Sequence, residues 1–171
     1  DNASGMACLL ELLNRLSNPK ERLRKYDIWF IFTGAEECGT MGIRHFYELV
    51  KDVNKKESFI INIDGIGKHL AYVSSWINPE KNSDLYRRFR EEAEKIDFEL
   101  AQKRFGLHTD GLYLKQRGFH GLGFGDVRVY PHVHSRHDTL DKVDPLLLEK
   151  TCELILKILE MIDQGQKPLK I

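Results

Sequence analysis

Residues 30–42 read FIFTGAEECGTMG, an apolar run that ends in the adjacent carboxylates Glu36 and Glu37. Two acids side by side at the carboxyl end of a buried strand repel each other and lose hydration, so a fold retains them there only when a cation neutralises them. A divalent metal ion does this best. The alternative is structural, because acids also favour the first turn of a helix, where the macrodipole is positive.

The composition is that of one soluble globular domain, with 171 residues, 42% of them hydrophobic, and 26 basic against 26 acidic side chains. The zero formal net charge gives no electrostatic reason to expect binding to nucleic acid or to an anionic membrane. The longest apolar runs have the length of strands, so no transmembrane segment is expected. The three cysteines lack the spacing of a zinc finger or a disulfide framework. This weakly favours a reducing, cytoplasmic location, and the localisation stays open.

The hydrophobic pattern alternates between helices and strands along the chain. Helical spacing of apolar residues marks residues 3–17, 40–50, 82–95, 110–116 and a long helix that Asp144 caps and Pro145 begins. Apolar, β-branched and aromatic runs predict strands at 26–33, 58–64, 69–74, 98–102 and 119–124. The first two runs have the composition of strands covered on both faces. This alternation predicts an α/β fold, a three-layer α/β/α sandwich with a mostly parallel, mixed central sheet.

Side chains with metal-binding chemistry follow several of these buried elements. Sites in α/β sheets form at the carboxyl ends of strands, where Glu36, Glu37 and Asp64 are all predicted to lie. Residues 130–139 read YPHVHSRHDT and hold three histidines within six residues. Carboxylate oxygens combined with imidazole nitrogens, without thiolates, match a catalytic zinc site or a related divalent ion better than a structural cysteine site. The candidates are Asp1, Glu36, Glu37, Asp64, Asp110, His132, His134, His137 and Asp138.

Four motifs, in this order, resemble those of the M28 family of dinuclear zinc aminopeptidases and carboxypeptidases. They are DNASG at 1–5, GAEECGTMG at 34–42, NID at 62–64 and HSRHDT at 134–139. The resemblance covers nearly the whole chain and implies a zinc-exopeptidase-like fold, a peptide substrate and peptide-bond hydrolysis. Because the chain opens directly on Asp1, we expect residues 1–171 to form a single peptidase domain whose natural sequence continues upstream.

The resemblance also implies a role for each site residue. Asp1 resembles the carboxylate that bridges two zinc ions. Glu37 and His134 resemble the terminal ligands of one zinc, and Asp64 resembles a ligand of the other. Glu36 stands where the family has its general base, which takes a proton from the metal-bridging water. In the family the second zinc also takes a histidine from upstream of the bridging aspartate, so this chain alone leaves that zinc short of one ligand.

Two further features of the histidine motif bear on the site. Several relatives have a tyrosine where this chain has Val133, to help hold the oxyanion, and Tyr130 and His132 are the alternatives for that role. Asp138 is expected to orient His134 rather than to bind metal.

Two other functions fit parts of the same pattern. A glutaminyl cyclase shares the fold and much of the site, but uses a single zinc ion to cyclise an N-terminal glutamine. A non-catalytic binding domain keeps the peptidase-like fold after losing its metals, although such domains usually lose ligands that are present here. We therefore expect a zinc-dependent exopeptidase, in the first place an aminopeptidase, with two zinc ions in the complete domain.

Overall fold

The computed structural model describes residues 2–18, 23–68, 72–75, 83–98, 101–102, 109–126, 129 and 131–165. Five α-helices lie in these ranges, namely α1 Ala3–Leu16, α2 Met41–Val50, α3 Ser83–Lys95, α4 Asp110–Lys115 and α5 Pro145–Asp163. The strands there are β1 Phe59–Ile63, β2 Tyr72–Ser75, β3 Ala101–Gln102 and β4 His120–Gly125. A short 3-10 helix spans Leu140–Lys142.

The four strands form one mixed sheet in the order β1, β4, β2, β3. The pairs β1 with β4 and β2 with β3 run parallel, whereas β2 runs antiparallel to β4. In the β1 and β4 pair, Ile61 lies opposite Leu122. The predicted mostly parallel, mixed sheet is therefore confirmed in the described part of the chain.

Strand β1 shows how helices cover both faces of this sheet. Its residues Phe59, Ile61 and Ile63 pack into the larger core, which α1, α3 and α5 complete. The intervening Ile60 packs into a second core with residues of α2 and α4. Successive side chains of a strand point to opposite faces, so this alternation places one helical layer on each side. The three-layer α/β/α architecture is confirmed.

Helix α5 is the central buried element of the larger core. Its side chains at Leu154 and Ile158 have no exposed surface. The helix begins as the sequence predicts, with Pro145 in its first turn and the Asp144 carboxylate accepting hydrogen bonds from two first-turn backbone N–H groups, at 2.9 and 3.3 Å. The cap satisfies donors that the helix itself leaves without partners.

The predicted strand at 26–33 is wrong. Residues 27–35 carry no strand assignment, and none of the described segments pairs with them. Instead of being covered on both faces, Tyr26, Trp29 and Phe32 are exposed. Apolar and aromatic composition favours a strand, but a strand also requires a neighbour to complete its backbone hydrogen bonds.

Other boundaries differ by smaller amounts. Of the strand predicted at 98–102, Phe98 is not in a strand and residues 101–102 form β3. Residues 99–100, like residues 69–71 of another predicted strand, lie outside the described residues. Helix α1 buries Cys8 and Leu12 rather than Met6 and Leu10, which are half exposed. None of the helices in the described ranges combines the length and apolar character that a bilayer-spanning segment requires.

Truncation of a buried leucine in α5 tests this core. Leu154 is 0% exposed, so Leu154→Ala should lower the free energy of unfolding by about 2–5 kcal/mol, because it leaves a cavity. Leu146, on the same helix, is 59% exposed, and Leu146→Ala should change stability by less than about 0.5 kcal/mol. Urea denaturation of both variants measures the difference, and equal losses would contradict this packing.

Candidate active site

The two adjacent acids lie on a tight turn that leads into α2. The Thr40 N–H donates to the Glu36 carbonyl at 2.7 Å, and the Gly42 N–H donates to the Gly34 carbonyl at 3.1 Å. These bonds bring the two ends of the turn side by side and leave Glu36 and Glu37 at its tip. Glu37 is exposed there, whereas Glu36 is half-buried.

Backbone strain is concentrated at this site. Ala35 and Thr40, which flank the two acids, have φ values of 55° and 57°, and His134 has a φ of 60°. This left-handed conformation is uncommon for residues other than glycine and costs of order 1 kcal/mol or more. Among the described non-glycine residues, Asp97 alone shares it away from the site. Such strain gathers where a fold must hold functional side chains in set directions.

His134 and Glu37 are brought together from distant parts of the chain. The His134 Nε2 atom lies 2.8 Å from the Glu37 Oε1 atom, although the two residues are 97 positions apart. Both side chains are more than half exposed, at 56% and 61%. One imidazole nitrogen and one carboxylate oxygen are donors that zinc accepts, so this pair fits a zinc ion chemically.

Asp64 follows β1 directly, and the start of α1 is anchored on both sides of it. The Asn2 Nδ2 group donates to the Ile63 carbonyl at 2.7 Å, and the Gly65 N–H donates to the Asn2 Oδ1 atom at 3.1 Å. The residue that follows Asp1 is thereby bonded to both neighbours of Asp64. Asp1 itself lies outside the described residues, so its role as a bridging ligand stays a prediction.

Burial and neighbouring negative charges disfavour the ionised forms of Glu36 and Asp64. Burial raises the pKa of Glu36 to about 7, and the negative charges of its neighbours Glu37, Asp64 and Asp110 add to the rise. Burial also raises the pKa of Asp64, and the charges of Asp110 and Glu37 act in the same direction. Glu36 thus has three other carboxyl groups near enough to affect its pKa. A cluster of carboxyl groups of this kind suits a divalent cation chemically.

Asp110 is the most buried member of this group, with 8% of its surface exposed. It is the first residue of α4, and burial raises its pKa, while a hydrogen bond from the Thr33 hydroxyl lowers it. Its Oδ1 atom is buried without a hydrogen-bond partner in the described structure. An unpaired buried carboxylate oxygen is costly, and among other carboxylates it is a position that a cation or a proton would stabilise.

Sequence reasoning missed Asp126, which is only 2% exposed. It follows β4 at the same edge of the sheet where Asp64 follows β1, and its N–H donates to the Gly65 carbonyl at 2.9 Å. The sequence does contain a signal for Asp126, namely an acidic residue directly after the glycine-rich strand, just as Asp64 comes directly after β1.

The described part of the chain does not unite all the predicted ligands. No three side chains of His, Cys, Asp or Glu within it are grouped closely enough to hold a metal ion. Glu37 and His134 therefore form a pair, and Asp64 is not grouped with them. His137 and Cys38 are exposed, and His132 is half-buried. The complete ligand set stays a prediction.

Comparison of the chain with known protein families gives a match over most of its length. The model of peptidase family M28 matches residues 1–159. This chain belongs to peptidase family M28. Aminopeptidase YwaD of Bacillus subtilis strain 168 is 27% identical over 191 aligned residues, which cover 100% of this chain and 39% of that protein. The alkaline phosphatase isozyme conversion protein of Escherichia coli K12 is 36% identical over 91 residues, covering 51% of this chain and 25% of that protein.

Solved structures share the M28 chain's fold. BSAP, a zinc aminopeptidase from Bacillus subtilis, superposes with a TM-score of 0.76 at 22% identity, over 99% of this chain and 44% of that one. The LapA aminopeptidase of Legionella pneumophila gives a TM-score of 0.74 at 15% identity, over 100% of this chain and 47% of that one. The chain thus spans less than half the length of these relatives.

Gly42 is predicted to be essential to the turn. A Cβ atom at this position would lie 2.4 Å from the Gly34 carbonyl oxygen and 2.8 Å from its nitrogen, so Gly42→Ala must force the two backbone segments apart. We expect a loss of roughly 1–3 kcal/mol in stability, which exceeds the gain in helix propensity, together with weaker zinc binding. Gly34→Ala is the control, because nothing lies within 4 Å of its added Cβ. Thermal unfolding and zinc titration measure both, and a stable, zinc-binding Gly42→Ala variant would contradict the assignment.

The raised pKa of Glu36 predicts a pH-dependent stability in metal-free protein. The folded state holds this proton up to a pH of about 7, above the ordinary value of 4.5, so stability falls as the pH rises between these values. Glu36→Gln should therefore be more stable than the parent at pH 8 and equal to it near pH 4. We expect about 1 kcal/mol, or 2–4 °C in Tm, because solvent screens this partly exposed group.

Thermal melts in chelator at the two pH values measure this difference. Zinc is the control, since its positive charge should abolish the advantage of glutamine at pH 8. The same Tm difference at both pH values would show that Glu36 does not sense the surrounding carboxylates.

Proposed function

We propose that the protein containing this chain is a zinc-dependent exopeptidase, specifically an aminopeptidase that removes residues from peptide amino termini. The observation that carries the proposal is the 2.8 Å contact between Glu37 and His134, directly beside Glu36. Membership of peptidase family M28 and the likeness to aminopeptidases support it. The chain has less than half the length of these relatives, so the activity is proposed for the whole protein.

The proposed ligands divide between two zinc ions. Glu37 and His134 would hold one ion and Asp64 would hold the other, and Asp1 would serve as a ligand that the two ions share. The contact between Glu37 and His134 supports the first pair, and the Asn2 hydrogen bonds to both neighbours of Asp64 support the position of the second. When bound, zinc supplies Lewis acidity that acidifies water and polarises the scissile carbonyl group.

Glu36 has the properties of a general base in this scheme. Its carboxyl group is half-buried and directly precedes the proposed zinc ligand Glu37, so a proton acceptor stands next to the proposed metal position. Adjacent side chains diverge from the backbone, so Glu37 can bind metal while Glu36 faces the attacking water. Glu36 then takes a proton from that water and passes it to the leaving amine.

A direct test combines zinc content with product analysis on the full-length natural protein. We expect about two zinc ions per chain and release of free amino acids from the amino termini of unblocked peptides. One firmly bound ion with cyclisation of N-terminal glutamine would instead establish a glutaminyl cyclase. Protein that binds no zinc when zinc is in excess would overturn the proposal in favour of a binding domain.

Glu36→Gln separates the base from the ligands. The variant should bind zinc like the parent but lose about 10²- to 10⁴-fold in kcat, because the water loses its proton acceptor. Glu48→Gln, an exposed change on α2, is the control and should leave kcat unchanged. Elemental analysis and initial-rate kinetics measure the two properties, and parental activity in Glu36→Gln would remove Glu36 from the mechanism.

A further inference from the structure

An alternating series of cations and tyrosine rings lies on α2, on α4 and on the segments that follow these helices. The Arg117 Cζ atom lies 3.2 Å from the centroid of the Tyr113 ring and 5.2 Å from that of the Tyr47 ring. The Arg44 Cζ atom lies 5.5 Å from the Tyr113 centroid, and the Lys55 Nζ atom lies 5.4 Å from the Tyr47 centroid. We call these five residues the cation–tyrosine ladder.

The ladder is held in place by its own contacts. The Tyr47 and Tyr113 rings pack edge to face with their centroids 6.2 Å apart. Arg117 donates a hydrogen bond from its guanidinium to the Tyr113 carbonyl at 3.1 Å, so the group is held by this bond as well as by the ring. Both tyrosines, Arg117 and Lys55 are half-buried, while Arg44 is exposed. Positive groups that are already ordered lose little freedom when they bind an anion.

Within the part of the chain that the structure describes, none of the three cations has an anionic partner. The ion pairs of the described residues do not include Arg44, Lys55 or Arg117. By contrast, Lys51 at the end of α2 pairs with Glu48 at 3.4 Å. Three like charges in one patch repel one another, and the tyrosine rings offset this repulsion only in part. Binding of a negatively charged group would therefore relieve the repulsion among the three cations.

We propose that the cation–tyrosine ladder is a docking surface for an acidic segment of a partner polypeptide, whose Asp or Glu carboxylates meet Arg44, Arg117 and Lys55. Arg44 lies over the Tyr113 ring, Lys55 over the Tyr47 ring and Arg117 over both, so the positive charge extends along two rings and can meet successive carboxylates of an extended segment. Arg117 supplies a planar guanidinium with several N–H donors, a group that suits bidentate binding of a carboxylate.

The same geometry argues against nucleic acid as the occupant. Single-stranded nucleic acid is held by aromatic rings on which bases stack, and Arg117 already covers one face of Tyr113. The chain as a whole also has zero formal net charge, which gives no general attraction for a phosphate backbone. The ladder extends to Lys55, beyond the end of α2, and the proposal does not depend on peptidase activity.

The test uses a fluorescent decamer of glutamate, acetylated at its amino terminus, and the full-length natural protein in low salt. Fluorescence anisotropy should show saturable binding that weakens as salt is raised. The double variant Lys55→Gln with Arg117→Gln should weaken binding at least tenfold. Arg117→Lys keeps the charge but loses the planar fork, and should weaken binding about threefold or more.

A charge-matched control is available beside the ladder. Lys51→Gln with Lys56→Gln also removes two positive charges, yet neither residue belongs to the series, so binding should change less than twofold. Thermal melts check the folding of every variant. If the ladder double variant unfolds, Arg44→Gln provides the second test, because Arg44 is exposed.

Four results would overturn the proposal. The decamer could fail to bind. It could also lose as much affinity in the Lys51→Gln, Lys56→Gln control variant as in the ladder double variant, which would indicate diffuse electrostatic attraction. Inorganic phosphate could displace the decamer completely at a similar concentration, which would indicate a small-anion site. Single-stranded oligothymidylate could bind more tightly than the decamer, which would make nucleic acid the occupant.

Discussion

Like-charge repulsion at the carboxyl edge of the sheet is the constraint on which the rest of this structure depends. Burial raises the pKa of Glu36, Asp64 and Asp110, and the negative charges of neighbouring carboxyl groups raise the pKa of Glu36 and Asp64 further. A fold that only needed stability would place such groups apart in water. The cluster is assembled from three elements. Glu36 and Glu37 lie on a tight glycine turn, Asp64 follows β1, and Asp110 is the first residue of α4. Positive φ angles at Ala35, Thr40 and His134 add strain in the same segments. The arrangement is costly for an empty protein and favourable for one that holds divalent cations, which is why we propose a zinc peptidase.

Much of the fold was predictable because its signals are local or periodic. The Asp144 and Pro145 start of α5 needs only capping chemistry, and β1 alternates between two cores as its apolar composition allows. The segment at 26–33 was not predictable in this way. Its aromatic, β-branched residues favour extended backbone, but strand formation depends on a neighbour that no local pattern specifies. The buried face of α1 was similarly ambiguous, since leucines occur all round this helix and only packing against α5 selects Cys8 and Leu12.

The site was predictable in part, and for different reasons. The end of β1 pointed to Asp64 and the acid doublet pointed to Glu36 and Glu37, although the strand predicted before the doublet is wrong. The family resemblance singled out His134 among three histidines. Sequence alone did not give the direct contact of His134 with Glu37, because spatial proximity across 97 positions follows only from the assembled sheet. The burial of Asp126 and the unpaired oxygen of Asp110 also required tertiary structure. The cation–tyrosine ladder has no sequence signature, because its members come from three separate segments of the chain.

The most direct measurement is anomalous X-ray diffraction at the zinc absorption edge from crystals of the full-length natural protein grown with zinc. The account predicts one zinc ion between the Glu37 carboxylate and the His134 imidazole, at ligand distances of about 2.0–2.2 Å. It predicts a second zinc ion at the same distance from an Asp64 oxygen, with Glu36 bound to neither. Zinc bound elsewhere, or a direct Glu37 to His134 hydrogen bond that persists at saturating zinc, would contradict it.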